Sequence, residues 1–305
     1  MKAYNGSLVL HKKLMVGEMD IRNPEMGPLG INNRSRNWQA THNATTFRNF
    51  LTLYASYCMS WGGGFHAYLM QPLWYNTEEA LRSWARAVAV TSQAEGQKLD
   101  ENRIAVFIDE NSSYYNATTD VPAFFTRIHY RESTEYSLWR SGVRCDYYIP
   151  SDIFHPELQA PKILIFADAG TMTPAQAARI RAEYGRDGRI LIWVGHAGYL
   201  PEGKIETVRK ITGFHVTPQI MHKPLMDNQT GKILWEPAFY AGGFPEPAWT
   251  VNDPAAKPLA VYAGTKLVGM AEKKYADHTE IYLGQPGSLS PDTGTQSRDY
   301  PRSGT

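Results

Sequence analysis

The sequence predicts an α/β protein whose larger part is built on a parallel sheet covered on both faces. Three observations carry this reading. The runs around Ile104–Ile108, Lys162–Ala167 and Arg189–Val194 are continuously apolar rather than alternating, as strands buried on both faces are. Segments with helical spacing stand between them. One of these opens on Thr173-Pro174, a capping residue followed by proline at the first helical position.

The N-terminal third is read in the same way. The apolar stretch Leu14-Met15-Val16 ends in Gly17, and Glu18, Asp20 and Arg22 follow at every second position. On an extended chain these three share a face. A carboxylate at the C-terminal end of a barrel strand sits where such barrels keep their chemistry; a charged, solvated strand edge is the plainer reading. After the polar loop Asn23–Ala44, a helix is predicted over Thr45–Met59, with Phe47, Phe50, Leu51, Tyr54 and Cys58 on its apolar face. The glycines at 62–64 break it, and Phe65–Met70 reads as a strand. Trp74 and Tyr75 fall in the next loop. Thr77 caps a helix over Glu78–Gly96, with Glu78 and Glu79 near its positive end and Leu81, Trp84, Ala85 and Val88 on one face. Strand, loop and helix, twice over, make two βα units.

From Arg103 the pattern is cleaner. Strands are predicted at Ile104–Ile108, Asp146–Ile149, Lys162–Ala167 and Arg189–Val194, with helices over Ala123–Ser141 and from Thr173 to Gly185. Such an alternation builds a doubly wound sheet, a flavodoxin-like or Rossmann-like domain. Short strands at Ile233–Trp235, Ala260–Tyr262, Leu267–Ala271 and Glu280–Leu283 complete the same sheet. The tail Pro291–Thr305 is polar and rich in Gly, Pro and Ser, and is expected to be disordered.

Composition excludes several functions. Thirty-one basic and 30 acidic residues leave a net charge of +1, so nothing suggests a grip on nucleic acid or an anionic membrane. The two cysteines, Cys58 and Cys145, lie far apart in no ligand spacing, against a disulfide scaffold or a zinc cluster. No apolar run reaches membrane-spanning length. The N-terminus MKAYNGSLVLHKK does not read as a secretory signal, which predicts a cytoplasmic protein. No Gly-x-Gly-x-x-Gly follows the first strand and no phosphate-binding loop of the Walker type occurs, so a nucleotide cofactor is not expected. Aromatic content is high, with 8 Trp and 18 Tyr. Such rings stack on sugars when exposed and fill the core when buried. The loop after Val194 holds Gly195-His196-Ala197-Gly198, where a class I amidotransferase would carry its nucleophilic cysteine, so glutamine hydrolysis is set aside.

These segments resemble a known family. RIAVFIDENS, WRSGVRCDYYIPSDI, KILIFADAGTMTPAQAARI, GRDGRILIWVGHAGYLPEG and KITGF together resemble the trimerisation domain of family 42 glycoside hydrolases, an amidotransferase-like α/β fold without the nucleophile. Upstream, HKKLMVGEMDIR is similar to that family's seventh barrel strand, which carries the nucleophilic glutamate. Trp61–Met70 is similar to the eighth strand, and Glu78–Ala94 to the helix that closes the barrel. The resemblance implies a partial (β/α) barrel over residues 1–100, a trimerisation domain over 101–290 and a tail over 291–305. Only the last two barrel units are present, and the fourth strand with its acid/base glutamate has no counterpart, so the chain reads as a piece of a larger glycosidase or a truncated product.

The resemblance makes Glu18 the candidate nucleophile of a retaining β-galactosidase-like hydrolase. It places Trp61, His66 and Trp74 around the sugar. Arg22 would hold Glu18 or a sugar hydroxyl, and Asp20 would orient Arg22. Structural readings stand beside these: an ion pair for Asp20 and Arg22, a core histidine for His66, packing for the two tryptophans. Asp109, Glu110 and Glu25 are the carboxylates available as a second catalytic group. No cofactor and no metal is implied. The expected partners are a carbohydrate and further copies of the chain, a trimer first and a dimer second. A non-catalytic module that oligomerises or binds carbohydrate is the alternative.

Overall fold

The computed structural model describes residues 4–19, 43–60, 62–67, 75, 77–93, 96, 104–115, 138, 142–200, 202–221, 226–227, 233–236, 246–285 and 288–289. The chain divides into two compact units, Met1–Glu101 and Asn102–Thr305.

The first unit contains α1 (Asn5–Leu10), β1 (Val16–Met19), α2 (Ala44–Met59), β2 (Gly64–Ala67) and α3 (Glu78–Gln93). Strands β1 and β2 pair in parallel, with Glu18 opposite His66 and Met19 opposite Ala67, so α2 lies in the crossover between them. Asn43 caps α2, its Oδ1 accepting from the Thr46 amide at 2.8 Å. Phe47, Leu51, Ala55 and Cys58 form the buried stripe of α2, and they recur at helical spacing. Phe50, expected on that face, is 49% exposed. A second correction concerns α3. Its inward residues are Ala80, Trp84 and Ala87, which pack into a core with Met19, Phe47, Leu51 and Tyr75, while Leu81 and Val88 point to solvent. Small alanines let the helix approach closely, and a stripe drawn through the larger residues misses that face. The strand expected at Phe65–Met70 runs over Gly64–Ala67, and Tyr68–Met70 lie outside the described residues.

The second unit contains β3 (Ile104–Ile108), α4 (Ser112–Tyr115), β4 (Asp146–Tyr148), a 3-10 turn (Pro150–Phe154), β5 (Ile163–Asp168), α5 (Pro174–Tyr184), β6 (Arg189–Val194) and α6 (Ile205–Thr212). Eight further strands follow: β7 (Val216–Met221), β8 (Met226–Asp227), β9 (Ile233–Glu236), β10 (Glu246–Val251), β11 (Lys257–Tyr262), β12 (Val268–Lys274), β13 (His278–Leu283) and β14 (Ser288–Leu289). The helix expected over Ala123–Ser141 lies, apart from Leu138, outside the described residues, as does the tail beyond Leu289.

Among the described residues these strands form one 12-stranded mixed sheet. The order β4-β3-β5-β6-β13 is parallel throughout. From β13 the sheet continues antiparallel through β12, β11, β8, β9 and β14, and β10 pairs antiparallel with both β12 and β7. This corrects the expectation of a mostly parallel sheet. The turn Tyr275–Asp277 between β12 and β13 is too short for a crossover, so the two strands return side by side in opposite directions.

An aromatic row runs across the parallel half. Tyr148, Phe107, Phe166, Trp193 and Tyr282 are successive register partners on five adjacent strands, so they share one face. Phe107 and Phe166 stack at 5.4 Å, and Phe166 and Trp193 at 4.2 Å. Here the aromatic side chains fill the core. Beside the row lies a buried charge. Glu280 on β13 is fully buried, meets Arg181 of α5 through two contacts of 2.7 and 2.9 Å, and accepts from Trp193 Nε1 at 2.9 Å. A buried carboxylate persists only when its lone pairs are filled in this way.

Candidate functional site

The first unit brings two of the sequence-selected residues together. Glu18 and His66 are direct register partners on parallel strands, so their side chains leave the same face. Glu18 Oε2 lies 3.8 Å from His66 Nε2, and both side chains are about half exposed. At that distance and exposure the pair contributes at most about 1 kcal/mol. The carboxylate stands in the last half of β1 and is open to solvent, as a group meeting a ligand must be.

Local packing explains why Glu18 points outward. Met19, its neighbour, is fully buried, and side chains alternate along a strand. On the inward face at the preceding residue, Gly17 lies under α2. A Cβ built there would stand 2.7 Å from Tyr54 Oη and 3.1 Å from Cys58 Sγ. The missing side chain lets Tyr54 reach the strand, where its hydroxyl donates to the Glu18 backbone carbonyl at 2.6 Å. Burial pushes the Tyr54 phenol up to about 12, with the nearby Cys58 and Glu18 adding to the rise, so it stays a donor at neutral pH. Tyr54 entered the sequence reading only as part of an apolar stripe. Its hydroxyl at a helix position facing a glycine is the signal that could have marked it.

Of the remaining selected residues, Asp20, Arg22, Glu25, Trp61 and Trp74 lie outside the described residues. Asp109 and Glu110 belong to the second unit. Asp109 is 5% exposed. Its Oδ2 accepts from the Thr171 amide at 2.7 Å and the Thr171 hydroxyl at 2.6 Å, and its Oδ1 from the Asn111 amide at 3.0 Å. Burial raises the pKa of Glu110 above the usual carboxylate range.

Asp109 is part of a polar cluster that the sequence reading did not assemble. The Ser112 hydroxyl lies 2.8 Å from Asp168 Oδ1 and 3.1 Å from Asp109 Oδ2. His196 Nε2 stands 3.7 Å from Asp168 Oδ1. The members lie at or just beyond the C-terminal ends of β3, β5 and β6. Desolvation holds the imidazole well down, at about 4, against the opposing pull of Asp109. The cluster is tightly packed: a Cβ on Gly170 would meet Ser112 Oγ at 2.6 Å, Leu200 Cδ1 at 2.9 Å and His196 Nε2 at 3.0 Å. It therefore ties the C-terminal ends of three strands together, with no space for a side chain at Gly170.

Among the described residues no group of three or more His, Cys, Asp or Glu side chains is placed to hold a metal ion, and no helix is long and apolar enough to cross a membrane.

Comparison with known proteins places the fold. No family model and no curated protein matches the sequence. Solved structures do. The chain is similar to the polyextremophilic β-galactosidase from the Antarctic haloarchaeon Halorubrum lacusprofundi at 12% identity and a TM-score of 0.55, covering 78% of this chain and 38% of that one. It is similar to a catalytic mutant of a GH42 β-galactosidase from G. stearothermophilus at 14% identity and a TM-score of 0.52, covering 77% and 37%. An exo-β-1,4-mannosidase from Opitutaceae bacterium strain TAV5 matches at 9% identity and a TM-score of 0.51, covering 90% and 48%. The chain thus spans less than half the length of each of these neighbours, and its likeness to GH42 β-galactosidases is a distant, partial likeness of fold.

Proposed function

We propose that this chain is a portion of a retaining, β-galactosidase-like glycoside hydrolase. In this reading β1-α2-β2-α3 are the last two βα units of a catalytic barrel, and the second unit is a flavodoxin-like, amidotransferase-like trimerisation domain. The observation that carries it is the Glu18–His66 pair: an exposed carboxylate near the C-terminal end of a parallel strand, in register with a histidine on the next strand. Barrel enzymes keep their chemistry at that end. The parallel order β4-β3-β5-β6-β13 supports the second half of the reading, since it reverses direction between β3 and β5 as doubly wound sheets do.

In the proposed reaction the Glu18 carboxylate attacks the anomeric carbon and the glycosidic oxygen leaves with a proton. Water then hydrolyses the glycosyl ester. Retaining enzymes place the proton donor about 5–5.5 Å from the nucleophile. Among the described residues of the first unit the other carboxylates are Glu78 and Glu79, at the start of α3, where Glu78 pairs with Arg82. The donor is therefore sought at Glu25 or on a neighbouring subunit; His66, Trp61 and Trp74 line the sugar, Arg22 holds Glu18 or a sugar hydroxyl, and Asp20 orients Arg22.

The test is hydrolysis of an aryl β-galactoside, followed by azide rescue of Glu18→Ala. A glycosyl azide of inverted configuration would identify Glu18 as the nucleophile. Full turnover by Glu18→Ala would remove it from the mechanism. The second reading is a non-catalytic module that oligomerises or binds carbohydrate. It is favoured by the exposed apolar residues of the first unit, among them Leu53 at 56% and Leu81 at 57%, which suit a covered face.

A further inference from the structure

A groove of about 470 Å³ lies in the second unit, between the α5–β6 turn and the β12–β13 turn. It is at the N-terminal ends of β6 and β13, away from the strand ends where the Asp109 cluster sits. Tyr275 and His278 line it, with Arg186, Asp187, Lys274 and Asp277 at its rim. From this geometry we infer that the groove is a saccharide-binding site, which takes a short neutral oligosaccharide with one pyranose ring stacked on Tyr275.

The platform is built before any ligand arrives. Tyr275 is 45% exposed, and its ring lies parallel to that of His278 at 4.5 Å with an interplanar angle of 4°. His278 is held in turn by Glu280 at 3.3 Å, and Glu280 is fixed by Arg181 and Trp193 inside the core. A chain of contacts therefore runs from the buried aromatic row to one exposed ring. The two walls are tied as well. The Gly188 amide donates across the groove to the Asp277 carbonyl at 2.6 Å, and within the β12–β13 turn the Tyr275 amide donates to the His278 carbonyl at 2.9 Å. Gly188 and Asp187 take positive φ values of 64° and 57° to make the turn. Preorganisation of this kind removes the ordering cost of binding.

The ligand class follows from the rim chemistry. Four cations, Arg186, Lys274, Arg189 and Lys162, stand around the groove with three carboxylates, Asp187, Asp277 and Glu272, so donors and acceptors are interspersed with one positive charge in excess. Asp187 is partly neutralised within the protein by Arg189 at 2.8 Å. A phosphate or a carboxylate ligand would find carboxylates as well as cations within the same groove. A sugar hydroxyl, which donates and accepts at once, meets both kinds of partner. The C–H face of a pyranose fits an amphipathic ring such as Tyr275. The volume lies within the range of small-ligand sites.

The choice of sugar rests on the proposed function, so the experiment separates the two. The full chain carrying Glu18→Gln, which cannot turn substrate over by the proposed route, is titrated with β-1,4-galactobiose. Amide and aromatic resonances are followed by NMR, with galacturonate as the charged comparison. Saturable shifts centred on Tyr275 and His278, with a millimolar Kd, are expected. Tyr275→Ala should weaken binding at least tenfold and Tyr275→Trp should retain it, with thermal unfolding showing both variants folded. Asp277→Ala, which leaves the ring in place, should weaken binding severalfold. Absence of saturable shifts, shifts untouched by Tyr275→Ala, or tighter binding of galacturonate would each overturn the inference. Catalysis that survives loss of Glu18 would overturn the proposed nucleophile and leave this site standing.

Discussion

The Tyr54 hydroxyl donates to the backbone carbonyl of Glu18 at 2.6 Å. This bond holds the strand carrying the candidate nucleophile against α2, and the absent side chain of Gly17 makes it possible. Gly17→Ala would force a Cβ to within 2.7 Å of that hydroxyl, an overpacking that costs about 1–3 kcal/mol. Tyr54→Phe removes only the bond, a loss of about 1 kcal/mol. Urea unfolding should rank the two variants in that order, and equal stability of Gly17→Ala and the parent would contradict the packing described.

Catalysis gives the second prediction. Glu18→Gln keeps the shape of the side chain and removes its nucleophilicity, so aryl β-galactoside hydrolysis should fall to background. Among the described residues of the first unit no carboxylate but Glu78 and Glu79 accompanies Glu18; a general acid contributes on the order of a hundred- to ten-thousandfold, so the parent is expected to be slow. Fast turnover abolished by Glu18→Gln would show that the chain or its neighbour supplies an acid after all.

The third prediction concerns pH. His196 is held neutral in the fold, its pKa lowered to about 4 from 6.5, chiefly by burial. In the unfolded chain it takes up a proton near pH 6.5, so the unfolded state binds more protons between those values. Stability should therefore be highest above pH 6.5 and fall as the pH drops toward 4, by up to about 3 kcal/mol from this group. His196→Gln should flatten that part of the profile. An unchanged slope in denaturant titrations at pH 4.5 and 7 would rule the assignment out.

Glu280 supplies the fourth. Its carboxylate meets Arg181, Trp193 and His278 in a buried setting. Glu280→Leu would strand the guanidinium and should cost roughly 3–5 kcal/mol, whereas the double change Arg181→Met with Glu280→Leu should be much milder. Thermal unfolding of the single and double variants, read as a cycle, checks this.

Assembly gives the fifth. Leu14, Phe50, Leu53, Leu81 and Val88 are each about half exposed or more, and apolar surface on that scale is usually covered. Light scattering is expected to show a homo-oligomer, a trimer before a dimer, and Leu53→Asp with Leu81→Asp should shift it toward monomer. A monomer at micromolar concentration would count against a covered face here.

The sequence by itself determined the α/β class and its buried strands. Ile104–Ile108, Ile163–Phe166 and Ile190–Val194 are apolar without interruption, and only a sheet covered on both faces buries such runs. It also marked Thr173-Pro174 and Thr77 as helix starts, because capping is local chemistry: Thr173 accepts from Gln176 and Thr77 from Ala80. Tertiary structure alone decided the antiparallel half of the sheet, since strand direction depends on which neighbours a short turn permits. It decided that Ala80 and Ala87, rather than Leu81 and Val88, face the core, because close helix approach rewards small residues there. It joined Glu18 to His66, 48 positions apart in sequence but opposite in register, and it gathered Asp109, Ser112, Asp168 and His196 at the ends of three neighbouring strands. Periodicity reports which face a residue occupies within its own element. Which elements lie beside one another follows from the parallel pairing of strands distant in the chain, and that is why both polar groupings became visible only in the folded molecule.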